Sequence, residues 1–322
     1  MLRKTALFLL ALFVCLFGLQ LLYQFGLEKN VNLKSTYIVN HHPDADALFL
    51  GPCEPLWMMD PAVFKTYTGK SAYNLSTVHA NFAENEAMLR LYLMHNKAPE
   101  IIFLYVSTES VDGGFNVFNS YSFASYANLP WMKALIQEQD TAFSKVLDIP
   151  FMRFGFYNEY VSFNALQGLK HALSGKTTPY FPDGYVRPHG IAWDGRLERF
   201  VQQYPSGKTF QWNASEIKHL RQIVQLAKHY HCQMVLYESP MLNEIKPYVL
   251  NREEIKQKIT KFATENNLSY WVFDTLHMSD SRKYFFSILN TNDQGSAIFN
   301  RVFAQTYLKL NGYTDMLKTK QP

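Results

Sequence analysis

Thiol, imidazole and carboxylate side chains recur where this chain leaves an apolar run, and the first such place is FLGPCEPLWMMDP, Phe49 to Pro61. Cys53 there follows a short apolar segment stopped by Gly51. As a thiolate it is a nucleophile able to carry an acyl group, and a helix N-terminus or a nearby cation favours that form. As a thiol it is a small apolar filler. Glu54 beside it repels a thiolate, while Pro52 lacks an N–H and leaves that of Cys53 for an oxyanion.

A nucleophile needs a base, and several residues compete for that role. His79 follows the second predicted strand and either fills a loop or serves as an oxyanion region or substitute base. Asp274 and His277, in DTLH, have an Asp-x-x-His spacing just past the last predicted strand. Glu238 and Ser239 close the fourth strand, where carboxylates more often stabilise loops. NHHPDAD offers His41, His42, Asp44 and Asp46 to a metal, but adjacent ligands compete geometrically and the stretch precedes the first strand. A solvated loop is expected there, with no metal and no cofactor. Asn74, Asn213 and Asn267 each begin an N-x-S sequon whose simpler reading is structural.

The elements that position these groups alternate. Predicted strands are DALFLG (46–51), SAYNLS (71–76), PEIIFLYVS (99–107), CQMVLYESP (232–240) and YWVFD (270–274). Asn81 with Glu84, Asn213 with Glu216 and Asn251 with Glu254 open helices by the capping-box pattern. Ile217, Leu220, Val224 and Ala227 share one face of the second of these, and a final helix after Gly295 turns Phe299, Val302 and Phe303 inward. Strands alternating with amphipathic helices predict an α/β fold with a parallel sheet covered on both faces, and ligands beyond the strands' carboxyl ends. Cys53 after one strand and Cys232 before another then lie at opposite ends, and Cys15 is in the apolar leader, so free thiols are expected.

Residues 5–27 carry no charge, enough for a helix to span a bilayer. Arg3 and Lys4 precede them and no A-x-A cleavage site follows, which predicts a retained signal-anchor over 1–30 with the remainder outside the cytoplasmic membrane. The 31–322 domain is interrupted at about 110–210 by an aromatic-rich insertion containing NVFNSYSFASYANLPWM and PFMRFGFYNEYVSF. It is either packed on the sheet's edge or a lid whose aromatics line a groove for a sugar or acyl chain. A net charge of +4, spread along the chain, gives no basic stripe, so no nucleic-acid partner is expected.

Two stretches carry a family resemblance. DALFLGPCEPLWMMDPAVF is similar to a strand ending in Gly-Ser-Ser or Gly-Asp-Ser followed by a run closing on Asp-Pro, here Asp60-Pro61. YFFSILNTNDQGSAIF is similar to Asp-x-x-His-Leu-Asn-x-x-Gly-Ala before a closing helix. Over about 45–107 and 210–310 the chain resembles the SGNH (GDSL-type) hydrolase superfamily. Within it the chain resembles the membrane-anchored envelope proteins related to those of D-alanyl-teichoic-acid transfer and alginate O-acetylation.

The resemblance implies a three-layer, flavodoxin-like sheet with a degenerate triad. The family's serine falls on Cys53, and its aspartate and histidine on Ser287 and Asn290; Asn292 and Gly295 match, and the oxyanion glycine falls near His79. Two functions follow as expectations. One is acyl modification of cell-envelope glycans, catalytically degenerate or Cys-dependent. The other is a non-catalytic glycan-binding or scaffold role beside a polytopic membrane acyltransferase. The implied partners are the bilayer, that acyltransferase and an envelope glycan.

Overall fold

The computed structural model describes residues 2–114, 116–149, 152 and 159–312. Helices α1 (Leu2–Lys29) and α2 (Lys34–His41) lead into β1 (Ala47–Leu50), α3 (Cys53–Met58), α4 (Pro61–Thr68) and β2 (Ala72–Asn74). Then come α5 (Phe82–His95), β3 (Ile101–Tyr105), α6 (Thr108–Asp112), α7 (Pro130–Gln139), α8 (Thr141–Ser144) and α9 (Glu159–Ser174). The last third holds α10 (Arg196–Gln203), α11 (Ala214–His229), β4 (Gln233–Glu238), α12 (Arg252–Glu265), β5 (Ser269–Val272) and α13 (Asp293–Leu310). The chain divides into two compact units. One comprises Met1–His42, Met94–Asn96 and Phe118–Pro182, and the other Pro43–Leu93, Lys97–Val117 and Asp183–Pro322. Most of the aromatic-rich middle segment therefore groups with α1, and much of PFMRFGFYNEYVSF lies outside the described residues.

In the first unit, α1 is a 28-residue helix, about 42 Å long at 1.5 Å per residue. Its apolar window has no part buried against the described protein, as a single-pass membrane anchor or signal-anchor would require. Burial begins only at Gly26 and Leu27, where α9 packs against it. A Cβ on Gly168 would fall 1.6 Å from the Gly26 carbonyl oxygen, and one on Gly26 2.3 Å from that of Ala165. Only glycine permits so close an approach of two helix backbones. Asn30 then ties the pair, its Nδ2 donating to the Asn164 carbonyl and side-chain oxygens, each at 3.0 Å.

The second unit is built on five strands, all parallel, in the order β2-β1-β3-β4-β5. β1 and β3 are buried at every residue, as strands covered on both faces must be. On one face Phe49 stacks on Phe103, and α13 brings Phe303 edge-on to both, at 6.1 and 4.9 Å between centroids. Phe64 of α4 and Tyr307 join this cluster. Such pairs add about 0.5–1.5 kcal/mol each beyond simple area burial. Asn300 locks α13 in place, its Oδ1 accepting the Asp60 N–H at 2.9 Å and its Nδ2 donating to the Ser296 carbonyl at 2.8 Å.

The expected strands form at the expected places, β1 to β4 shorter at both ends and β5 starting one residue early and ending two residues early, at Ser269–Val272. Asn81 caps α5 by accepting the Glu84 N–H at 2.9 Å, and Asn213 caps α11 by accepting that of Ser215. Two expectations are corrected. The final helix starts at Asp293, before Gly295, because Asn292 is its cap and accepts the Gly295 N–H at 3.1 Å. Asn251 precedes α12 without capping it: its side chain exchanges two hydrogen bonds with the Phe210 backbone, at 2.9 and 2.8 Å. A long-range partner has outcompeted the local one. Cys53 and Cys232 are both free and buried.

Candidate functional site

The carboxyl ends of β1 and β3 open onto a cavity of about 350 Å3. At β1 the turn depends on Gly51, whose φ of 154° and proximity to Tyr105 and Pro55 leave no room for a Cβ. That turn delivers Cys53 as the first residue of α3. The loop after β2 is tied to the same end, with Leu75 N–H donating to the Phe49 carbonyl at 2.8 Å and Thr77 N–H to that of Gly51 at 3.2 Å. The loop so placed carries His79, a left-handed residue with φ 56°, and aims its N–H at the Cys53 sulfur, 3.3 Å away.

Ser107 caps α6 after β3 and holds Glu109 at the cavity wall, its hydroxyl 3.1 Å from Oε2. A tight turn presents Ser287, Ile288 and Leu289 to the cavity. In it the Asn290 carbonyl accepts the N–H groups of Phe286 and Ser287, at 3.1 and 3.2 Å. From the other side α10 contributes Arg196, Arg199, Phe200 and Gln203.

Cys53, His79 and Ser287 thus line one cavity. Asn290 does not line it: the residue is 2% exposed, with its side-chain oxygen buried and unpartnered. The Ser287 hydroxyl is also buried without a partner. Asp274 and His277 form no dyad. The Asp274 carboxylate is held by Arg252 at 2.6 Å and Lys256 at 3.0 Å, whereas the His277 imidazole is fully exposed on a 3-10 turn. Glu238 is equally committed, to Arg252 at 2.8 Å and to the Tyr270 hydroxyl at 2.8 Å. In NHHPDAD, Asp46 accepts the Ser71 N–H and hydroxyl, and Asp44 the Lys97 N–H. Among the described residues no group of three His, Cys, Asp or Glu is placed to hold a metal. Asn74 is buried, donating to the Pro55 and Met59 carbonyls.

The electrostatics of the cavity oppose ionisation of its thiol. Burial, and then the neighbouring Glu54 charge, push Cys53 up to about 11; the His79 N–H and Arg196 offset this only in part. Glu54 is itself pushed up to about 8 by burial, and one of its carboxyl oxygens has no partner. Burial also raises Glu109. Burial, followed by the charge of Arg196, lowers His79. At neutral pH the interior therefore holds a thiol, a neutral imidazole and a protonated Glu54, with guanidinium groups on α10 facing them. The His79 N–H, engaged by sulfur, is no free oxyanion donor.

Sequence reasoning named Glu54 only as a neighbour of Cys53 and missed Glu109, Arg196, Arg199 and Gln203. The α10 residues did leave a signal: positions 196, 199, 200 and 203 follow the i, i+3, i+4, i+7 spacing of one helix face. A scan of protein-family models finds no match to this chain, and a search of curated proteins finds none either.

Proposed function

We propose that this is a membrane-anchored, SGNH-like protein of the cell envelope that serves acyl modification of a glycan by binding it, with a degenerate triad that does not turn over. The observation that carries this reading is the cavity beyond the carboxyl ends of β1 and β3, lined by Cys53 and Ser287, the two residues on which the resemblance puts the family's serine and aspartate. Its size and its mix of apolar walls with a few convergent polar groups suit a small acylated sugar. The third aligned position, Asn290, carries an amide with no proton equilibrium near neutral pH, so it cannot relay a proton. A polytopic membrane acyltransferase is the partner that such a role implies. The Cys-dependent alternative is disfavoured by the burial that keeps Cys53 protonated.

The full chain, in detergent or nanodiscs, should bind O-acetylated oligosaccharides from the envelope in preference to their de-acetylated forms, as read by calorimetry. Cys53→Ala should retain that binding, and the wild type should not hydrolyse simple activated esters. Trapping an acyl group on Cys53 would overturn the binding-only reading, and equal affinity for acetylated and de-acetylated sugars would remove the acyl-modification role.

The topology that this function needs is separately testable. A reporter active only outside the cytoplasm, fused after Lys34, should give signal while the protein stays in the membrane fraction, given the charged Arg3 and Lys4 before an apolar run that no A-x-A site follows. Release of a shortened soluble form would show a cleaved signal instead.

A further inference from the structure

Helix α9 is buried on one face and apolar on the other. Val161, Ala165, Gly168 and His171 make the buried face. Phe163, Leu166, Lys170 and Leu173 recur at three- and four-residue intervals on the opposite side. There Phe163 is 57% exposed, Leu166 58% and Leu173 90%. A row of large apolar side chains along one helix face, with a single lysine in it, marks an interaction surface.

Its position beside α1 decides what covers it. Ala165 lies against Gly26, Gly168 against Gly26 and Asn30, and the His171 imidazole comes within 3.5 Å of the Asn32 side chain. Position along α9 thus rises together with position along α1, and the first turns of α9 lie beside the apolar run that precedes Gly26. That run exposes Phe17, Leu21, Leu22 and Phe25, so both helices of the pair carry exposed apolar side chains. Toward its other end α9 carries Lys170, and Lys176 follows it. Lys29 closes α1, and both Lys29 and Lys176 border the same hollow. Aromatic and aliphatic side chains on one side of a collar of lysines are what the boundary between acyl chains and phosphate headgroups selects.

We propose that the exposed face of α9 rests in the headgroup–acyl boundary of the bilayer that α1 crosses, so that the α1–α9 pair, and not α1 alone, is the membrane-contacting element. The proposal rests on reading α1 as a membrane span.

A photo-crosslinking amino acid placed at Phe163 or Leu166 of the full chain, in native membranes, tests it, with the same group at the exposed Lys258 as control. Adducts of phospholipid mass are expected at 163 and 166 and not at 258. Both test positions are exposed, so the substitution leaves packing intact. Crosslinking to a second copy or to another polypeptide in place of lipid would overturn the proposal, as would no adduct from protein that stays membrane-bound after a carbonate wash. Loss of the chain from the membrane fraction would overturn the span reading of α1 as well, and with it this proposal.

Discussion

Replacing Arg252 by methionine is expected to lower the stability of the sheet unit by about 3–5 kcal/mol, the usual cost of removing one partner from a buried ion pair. Arg252 is 7% exposed and its Nη2 bridges Glu238 at 2.8 Å and Asp274 at 2.6 Å. Methionine keeps most of the volume and removes the charge, leaving two buried carboxylates with Lys256 beside only one of them. The pH dependence gives a second reading. Burial alone would raise Asp274, but hydrogen bonds from Lys256 and Arg252 outweigh it and hold the carboxyl below its usual range. A depressed folded value contributes stability above the unfolded carboxylate range and loses it as pH falls through the folded value. In the methionine variant this acid-side loss should shrink or reverse. Denaturant melts from pH 3 to 7 would show it, and an unfolding midpoint unchanged from wild type would refute the argument. Replacing Arg252, Glu238 and Asp274 together by apolar residues should recover much of the loss, because no buried carboxylate is then left unpaired and Lys256 keeps Glu253, 3.9 Å away.

Glu54→Gln is expected to stabilise the protein at alkaline pH, by about 3–5 kcal/mol if the whole shift is expressed. Burial pushes Glu54 up to about 8 from an ordinary value of 4.5. The folded state therefore keeps a proton that the unfolded state releases. Stability from this group is fully present below pH 4.5 and is lost progressively as pH rises through about 8. Glutamine is isosteric and never ionises, so the variant should lack this slope while matching wild type at pH 4. Melts at pH 4, 6 and 8.5 would separate the two, and parallel profiles would sink the assignment. The same measurements bear on the cavity. Removing the Glu54 charge removes one cause that raises Cys53, so alkylation of the thiol at pH 9 should quicken in the variant.

The alternation of strand and helix, the parallel sheet, the apolar leader and the caps at Asn81 and Asn213 were all legible in the sequence. Each rests on local physics: side-chain periodicity, uncharged length, and a side chain that reaches an N–H two or three residues away. That Cys53 and the His79 loop reach one rim was legible too, since parallel strands gather their carboxyl ends there, whereas Ser287 and Asn290 came from the family resemblance and only Ser287 lines the cavity. What tertiary structure alone decided lies between residues distant in sequence. Asn251 left its helix for Phe210, and Asp274 turned from the nearby His277 to Arg252. Gly26 and Gly168 proved to be the contact of two helices that no local pattern pairs. The state of the site belongs with these. Residue types permit a reactive Cys53, but burial among Glu54, His79 and Arg196 decides its protonation, and the free energy of desolvation depends on everything packed around a group rather than on its neighbours in sequence.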